Sequence, residues 1–483
     1  MSSSTVRSTP AASRRSFLQQ MAVAGVALGP ASAFLASCAT GGGGDDEETG
    51  GPQGDVSEEN PLGVADDGDL EIFIFNGGFG DKFATDLHEP IFTEKHPDVV
   101  INHNAMSNIE QELQARFVAG DPPDVVQNSG DGALSNTQLY ADGLLTDLTP
   151  LFDAPSWDDP DVTVRDTLAP GTVEAGSYDG KPYILNYAQG IYGLWYSQKL
   201  FDANGWTPPE TWDDMLALCA EIQAAGIAPW VYTGVHARYM HWPLLAMAAM
   251  KGGVEEVLVP IDNLEEGAWK NEAVREAAAA LADLRAKGYF LPECENMDHL
   301  QAQNEWDQGR AAFISCGVWL ESEQAATLPA DFGIAMTPVP ALGSDGALPF
   351  GSLRSTAGEA FIVPSDAKNP TAGMEYLRGM LSKDGARGWT EITSAPTRVT
   401  DSTDGLTFPP GLQSAMTAFD AAGENTFNWF YTEWYGDLER GPIDDATAEL
   451  LAGSLTVDQW ADAIEVAVAA LRDDESIPKQ KRA

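Results

Sequence analysis

The first clear pattern is Leu70-Glu-Ile-Phe-Ile-Phe75, a short apolar run that gives way to Asn76-Gly-Gly-Phe79-Gly-Asp81. It predicts a buried strand opening into a loop. A helical pattern follows to about Lys95, then a second strand from Val99 to His103. Ile109 to Ala119 reads as a helix, with Leu113 and Phe117 one turn apart. Asp124-Val-Val-Gln127, entered through Pro122-Pro123, predicts a third strand. Strand, helix, strand, helix, strand implies a mostly parallel sheet covered on both faces. Such sheets bind ligands beyond their C-terminal strand ends, which singles out the loops 76–81 and 128–131.

Further on, Lys181 to Tyr187 and Gly193 to Ser197 read as two strands. Thr211-Trp-Asp-Asp214, after Pro208-Pro209, opens a helix running to about Ala225, with Thr211 as its cap. Asn271 to Lys287 is an Ala-rich helix stopped by Gly288, and strands and helices alternate again to Pro364 before a mostly helical end.

The N-terminal pattern is of another kind. Ser13-Arg-Arg-Ser-Phe-Leu18 is a twin-arginine export pattern, and the apolar stretch Met21–Leu35 is too short and too rich in Ala and Gly for a membrane span. It closes on Leu35-Ala-Ser-Cys38, a lipoprotein cleavage box whose Cys38 is the expected site of lipidation. Residues 1–38 are thus expected to be a signal peptide, tethering the rest to the outer face of the cytoplasmic membrane through acylated Cys38. Residues 39–69 read as a flexible acidic, Gly-rich linker, since no Lys or Arg falls between Arg15 and Lys82.

After leader and linker about four hundred residues remain, a comfortable length for two lobes. The hydrophobic fraction of 43% is that of a globular protein, but the net charge is −46. That balance excludes nucleic acid, whose phosphates need basic partners, and argues for solubility in a salty or acidic setting. Cys219, Cys294 and Cys316 are an odd set, so at least one is free; one disulfide is open to them, with the pair unspecified. No Cys/His spacing suggests a metal, and no phosphate loop or nucleophile elbow points to a cofactor.

Three segments carry a family resemblance. Trp306-Asp-Gln-Gly-Arg-Ala-Ala-Phe313 running to Gly317-Val-Trp319, Pro209-Glu-Thr-Trp-Asp-Asp-Met215, and Gly193-Leu-Trp-Tyr-Ser-Gln-Lys-Leu-Phe201 resemble the family 1 extracellular solute-binding proteins of carbohydrate ABC importers. The likeness extends from about Glu71 to Trp389. Asn60-Pro-Leu-Gly63, Phe79-Gly-Asp81, Asn128-Ser-Gly-Asp-Gly-Ala133 and Trp319-Leu-Glu-Ser322 are also similar to the actinobacterial lipoproteins that bind N-acetylglucosamine and diacetylchitobiose.

The resemblance implies an α/β, two-lobed periplasmic-binding-protein-like fold. Each lobe would be a mostly parallel sheet flanked by helices, with the ligand cleft between lobes. Lobe 1 is expected over 70–188 and 355–400, lobe 2 over 189–354 and 401–475, and a tail over 476–483. Crossings fall near Tyr187 to Ile191, Ser352 to Ala357, and Thr400. The implied function is substrate binding for an importer, not catalysis: a monomer with a neutral mono- or oligosaccharide as ligand, permease subunits as partners and no cofactor.

A sugar needs flat apolar surfaces for its ring faces, and donors and acceptors for its hydroxyls. Trp319, after a strand and a Gly, is the candidate stacking residue by the resemblance. Asn76, Phe79, Asn128 and Asp131 are candidates from their loops, and Asn186 from a crossing. Tyr232, His236 and Tyr239 form a polar-aromatic group. Trp429 and Trp434 belong to an aromatic cluster with Tyr431 and Glu433. Glu321 either accepts from the ligand or caps a helix, and Arg354 is a basic residue near a crossing. The competing class is a secreted glycoside hydrolase, which needs two carboxylates roughly 5 to 9.5 Å apart. With 73 Asp and Glu in the chain, that criterion discriminates little.

Overall fold

The computed structural model describes residues 54–482 except Asp66 and Asp131. Cys38, the leader and Asp131 therefore lie outside the described residues. A nine-stranded sheet runs through the molecule. In chain order its strands are β1 (Gly68–Phe75), β2 (Val99–Met106), β3 (Val125–Gln127), β4 (Leu185–Ser197), β5 (Ala228–Val231), β6 (Ala311–Gly317), β7 (Ile334–Thr337), β8 (Leu353–Ile362) and β9 (Thr426–Phe427). The spatial order is β2-β1-β3-β8-β4-β6-β5, with β9 beside β8 and β7 beside β4. The pairs β1·β2, β1·β3 and β5·β6 are parallel, as expected where helices form the connections. The long strands β4 and β8 are antiparallel to each other.

These two strands thread both lobes. Leu185, Tyr187 and Phe361 lie in a core with Ile72, Phe83, Leu377 and Trp389. Ile191, Leu194, Trp195 and Leu353 lie in a second core with Trp230, Leu281, Phe313 and Trp460. Where two strands were expected, 185–197 is continuous. The expected break spanned 188–192. Yet Gly190 is required by close approach: a Cβ there would fall 2.4 Å from Thr356 Oγ1 on β8. Residues 60–64 also pack onto the fold. The Asn60 side chain bonds both the N–H and the carbonyl of Val64 (2.8 and 2.9 Å), and Leu62 and Val64 are buried in the first core. The linker reading therefore extends too far at that end.

Helix boundaries follow local chemistry. Thr211 caps Trp212–Ala224 by accepting from Asp214 N, and Asn271 caps Glu272–Ala286 by accepting from Ala273 N. Cys219, Cys294 and Cys316 are all free and buried, so no disulfide joins them. No helix among the described residues is long and apolar enough to cross a membrane.

Candidate functional site

Where β4 and β8 pass between the two cores they floor a cavity of about 250 Å³. One wall is the loop after β3, with Asn128 to Gly130 and Ala133 to Thr137. The other is the segment Thr432–Arg440, with Trp242 behind it. β4 contributes Asn186 and Tyr192, and β8 contributes Arg354, Thr356 and Glu359.

Arg354 is the cation of this floor. Its guanidinium carbon lies 3.9 Å from the Trp429 ring centroid, 4.1 Å from Tyr192 and 5.6 Å from Trp242. A buried cation needs compensation, and the ring faces supply part of it. Nε donates to Asn428 Oδ1 at 3.3 Å, while Nη1 is buried without a partner. Behind this group, Tyr192, Tyr239, Trp242 and Trp319 form an aromatic cluster with centroids 4.3 to 6.4 Å apart, edge-to-face except for the tilted Tyr239–Trp242 pair.

Four carboxylates border the cavity: Glu359, Glu433, Asp437 and Glu439. Glu433 accepts from Thr432 Oγ1 at 2.6 Å and Asn428 Nδ2 at 3.4 Å. Burial pushes its carboxyl up to about 7, against the opposing pull of Arg354. Glu439 accepts from Trp242 Nε1 at 3.1 Å. Glu359 accepts from Gln127 Nε2 at 2.6 Å, and burial raises its carboxyl.

The Thr432–Arg440 wall is held from below. Asp262 Oδ1 accepts from the backbone of Phe430 (2.7 Å) and Tyr431 (2.9 Å). Its Oδ2 accepts from Arg482 Nη1 at 2.7 Å, and the same nitrogen donates to the Asn428 carbonyl at 2.8 Å. Burial pushes Asp262 up to about 6 despite Arg482. Across the cavity, Thr137 Oγ1 donates to the Trp434 carbonyl, tying the two walls together.

Of the candidates, Asn128 and Asn186 line the cavity. The Asn128 side chain is spent internally: Nδ2 donates to Leu134 O and Asn136 Oδ1, and Oδ1 accepts from Leu134 N. Asn186 Nδ2 is buried and has no partner. Trp429 underlies Arg354, and Trp319 and Tyr239 stand in the aromatic cluster behind the floor. Trp434 packs on Phe430, centroids 5.4 Å apart. The rest lie elsewhere. Asn76 is exposed. Phe79 meets Trp389 edge-on at 5.5 Å. Tyr232 is in the second core against Phe290. His236 Nδ1 is 3.1 Å from Arg238 Nη1. Glu321 caps helix Pro410–Ala422, accepting from Gly411 N (3.1 Å) and Leu412 N (2.9 Å).

Tyr192, Trp242, Thr137 and Glu359 were not singled out by sequence. Tyr192 and Glu359 left a trace, since they fall just after the crossings expected at 187–191 and 352–357.

Residues 77–387 match the bacterial extracellular solute-binding protein family. The chain belongs to this family. It is 33% identical over 471 residues to the diacetylchitobiose binding protein NgcE of Streptomyces coelicolor, covering 97% of this chain and 98% of that one. The alpha-glucosides-binding periplasmic protein AglE of Rhizobium meliloti is 27% identical over 62% of each chain. Among solved structures, a chitin oligosaccharide binding protein superposes with TM-score 0.65 at 17% identity, over 84% of this chain and 99% of that one. The GacH receptor of Streptomyces glaucescens gives 0.66 at 20% identity over the same shares. The fold is thus the two-lobed α/β architecture of solute-binding proteins, with this cavity between the lobes.

Proposed function

We propose that this solute-binding protein captures a neutral amino-sugar oligosaccharide, N-acetylglucosamine or a short chitooligosaccharide, and hands it to an ABC permease. The observation that carries this reading is the cavity floor: the aromatic-flanked Arg354 and Asn186 present donors with no protein partner beside Tyr192 and Trp242. Unpaired buried donors are costly, and a ligand's oxygens would satisfy them. The near full-length likeness to a diacetylchitobiose binding protein supports the sugar class. Acylation of Cys38 would keep the protein at the outer membrane face, and lobe boundaries near 188 and 354 would let the cleft close by bending β4 and β8.

Calorimetric titration with N-acetylglucosamine, diacetylchitobiose, maltose and cellobiose tests this. Micromolar or tighter binding of an N-acetylated sugar, recovered intact, is the expected result. Cleaved disaccharide would point to a hydrolase instead, and no binding to any of the four would sink the sugar assignment.

A further inference from the structure

Glu359 sits in the middle of β8 with φ of +52°, in the left-handed region that side-chain-bearing residues avoid. The strand register does not slip around it: Gly358 pairs with Ala188 and Ala360 with Asn186. No extra residue is accommodated, so the conformation serves no bulge. Its effect is to set the Glu359 side chain in the wall of the cavity.

Neighbours fix it there. Gln127 Oε1 accepts from Phe75 N at 3.2 Å, which orients that amide so that Nε2 donates to Glu359 Oε2. No cation lies within ion-pair distance of Glu359 among the described residues; its charge is stabilised only by hydrogen bonds from Gln127 and Ser129. A strained, cation-free carboxylate at a cavity surface is the kind of local cost that folds retain at binding sites. One register step away, Asn186 is 5% exposed and its Nδ2 is buried and unpartnered in the same cavity. An acceptor and a donor thus line the same cavity. An acetamido group offers the complementary pair, an N–H and a C=O.

We propose that Glu359 is a specificity-determining ligand contact, accepting from the acetamido N–H of the bound sugar while Asn186 donates to its carbonyl. This rests on the sugar-binding reading above, and the test separates the two. Titrate the full chain and its Glu359→Gln and Glu359→Gly variants with diacetylchitobiose and cellobiose, and record each melting curve. Glu359→Gln keeps the acceptor that Gln127 uses. Glu359→Gly also removes the backbone strain.

The expected result is preference of the parent for diacetylchitobiose, reduced about tenfold or more in Glu359→Gln, since a hydrogen bond to a charged group is lost. Glu359→Gly should lose that preference with a melting temperature equal to or above the parent's. Unchanged preference in Glu359→Gln overturns the inference while leaving the sugar reading intact. So does a fall of affinity and melting temperature together in both variants, which would mark Glu359 as a wall support. A parent that binds neither sugar removes the reading itself.

Discussion

The guanidinium of Arg354 lies over the face of Trp429, 3.9 Å from carbon to ring centroid. The same cation is 4.1 Å from Tyr192, so two rings hold it and leave Nη1 without a protein partner. Arg354→Met keeps an apolar stem between the rings and removes the donors. We expect sugar affinity to drop tenfold or more by titration, because a charged hydrogen bond is worth about 1.5–3 kcal/mol. The melting temperature should change little, since replacing a buried charge by an apolar group is often neutral. Undiminished affinity would remove Arg354 from the binding surface.

Two asparagines in one cavity are expected to behave oppositely. Asn128→Ala breaks three internal hydrogen bonds and leaves Leu134 N unpaired. It should cost roughly 1–3 kcal/mol in urea unfolding. Asn186→Ala removes a group with no protein partner, so stability should hold while titration shows weaker binding.

Asp262 supports the wall without touching the cavity. Asp262→Ala leaves two backbone N–H groups and the Arg482 guanidinium uncompensated. A loss of about 3–5 kcal/mol is expected in urea unfolding. Arg482→Ala on that background should add little, because the two side chains act as one unit; additive losses would show that they do not.

His88 and His241 are kept neutral by burial, which pushes them down to about 4 and about 3. An unfolded histidine takes up its proton near 6.5. Below that pH the unfolded chain binds protons the folded one refuses, so stability falls as pH drops. The His88 share is lost between about 6.5 and 4, roughly 3 kcal/mol in all. Asp262, Asp307 and Asp444, raised to about 6 by burial, work in the other direction over the lower part of that window. His88→Gln should therefore flatten the acid side of a melting-temperature profile; an unaltered slope would show that His88 does not titrate on unfolding.

Much of the fold was legible because its signals are local. The apolar run Leu70–Phe75, the cap Thr211 and the stop at Gly288 each specify their element without help from distant chain. The continuity of β4 was not legible, because Gly190 answers to Thr356, which is 166 positions away. The site was read unevenly for the same reason. Asn186 and Trp429 stood out by position or cluster, and both reach the cavity region. Tyr192, Trp242 and Glu359 become interpretable only once β4, β8 and the Thr432–Arg440 segment are brought together. Glu321 and Asn128 show the converse: polar residues in promising places whose hydrogen bonds are spent on capping a helix and bracing a loop.

The pairing of β4 with β8 across both cores has a mechanical consequence. Asn186, Tyr192, Arg354 and Glu359 are mounted on the same two-stranded ribbon that any swing of one lobe against the other must twist. Grip and flexure are therefore not separable properties here: a substitution on the ribbon that alters how the ligand is held also alters its torsional stiffness, so capture and release rates will shift together.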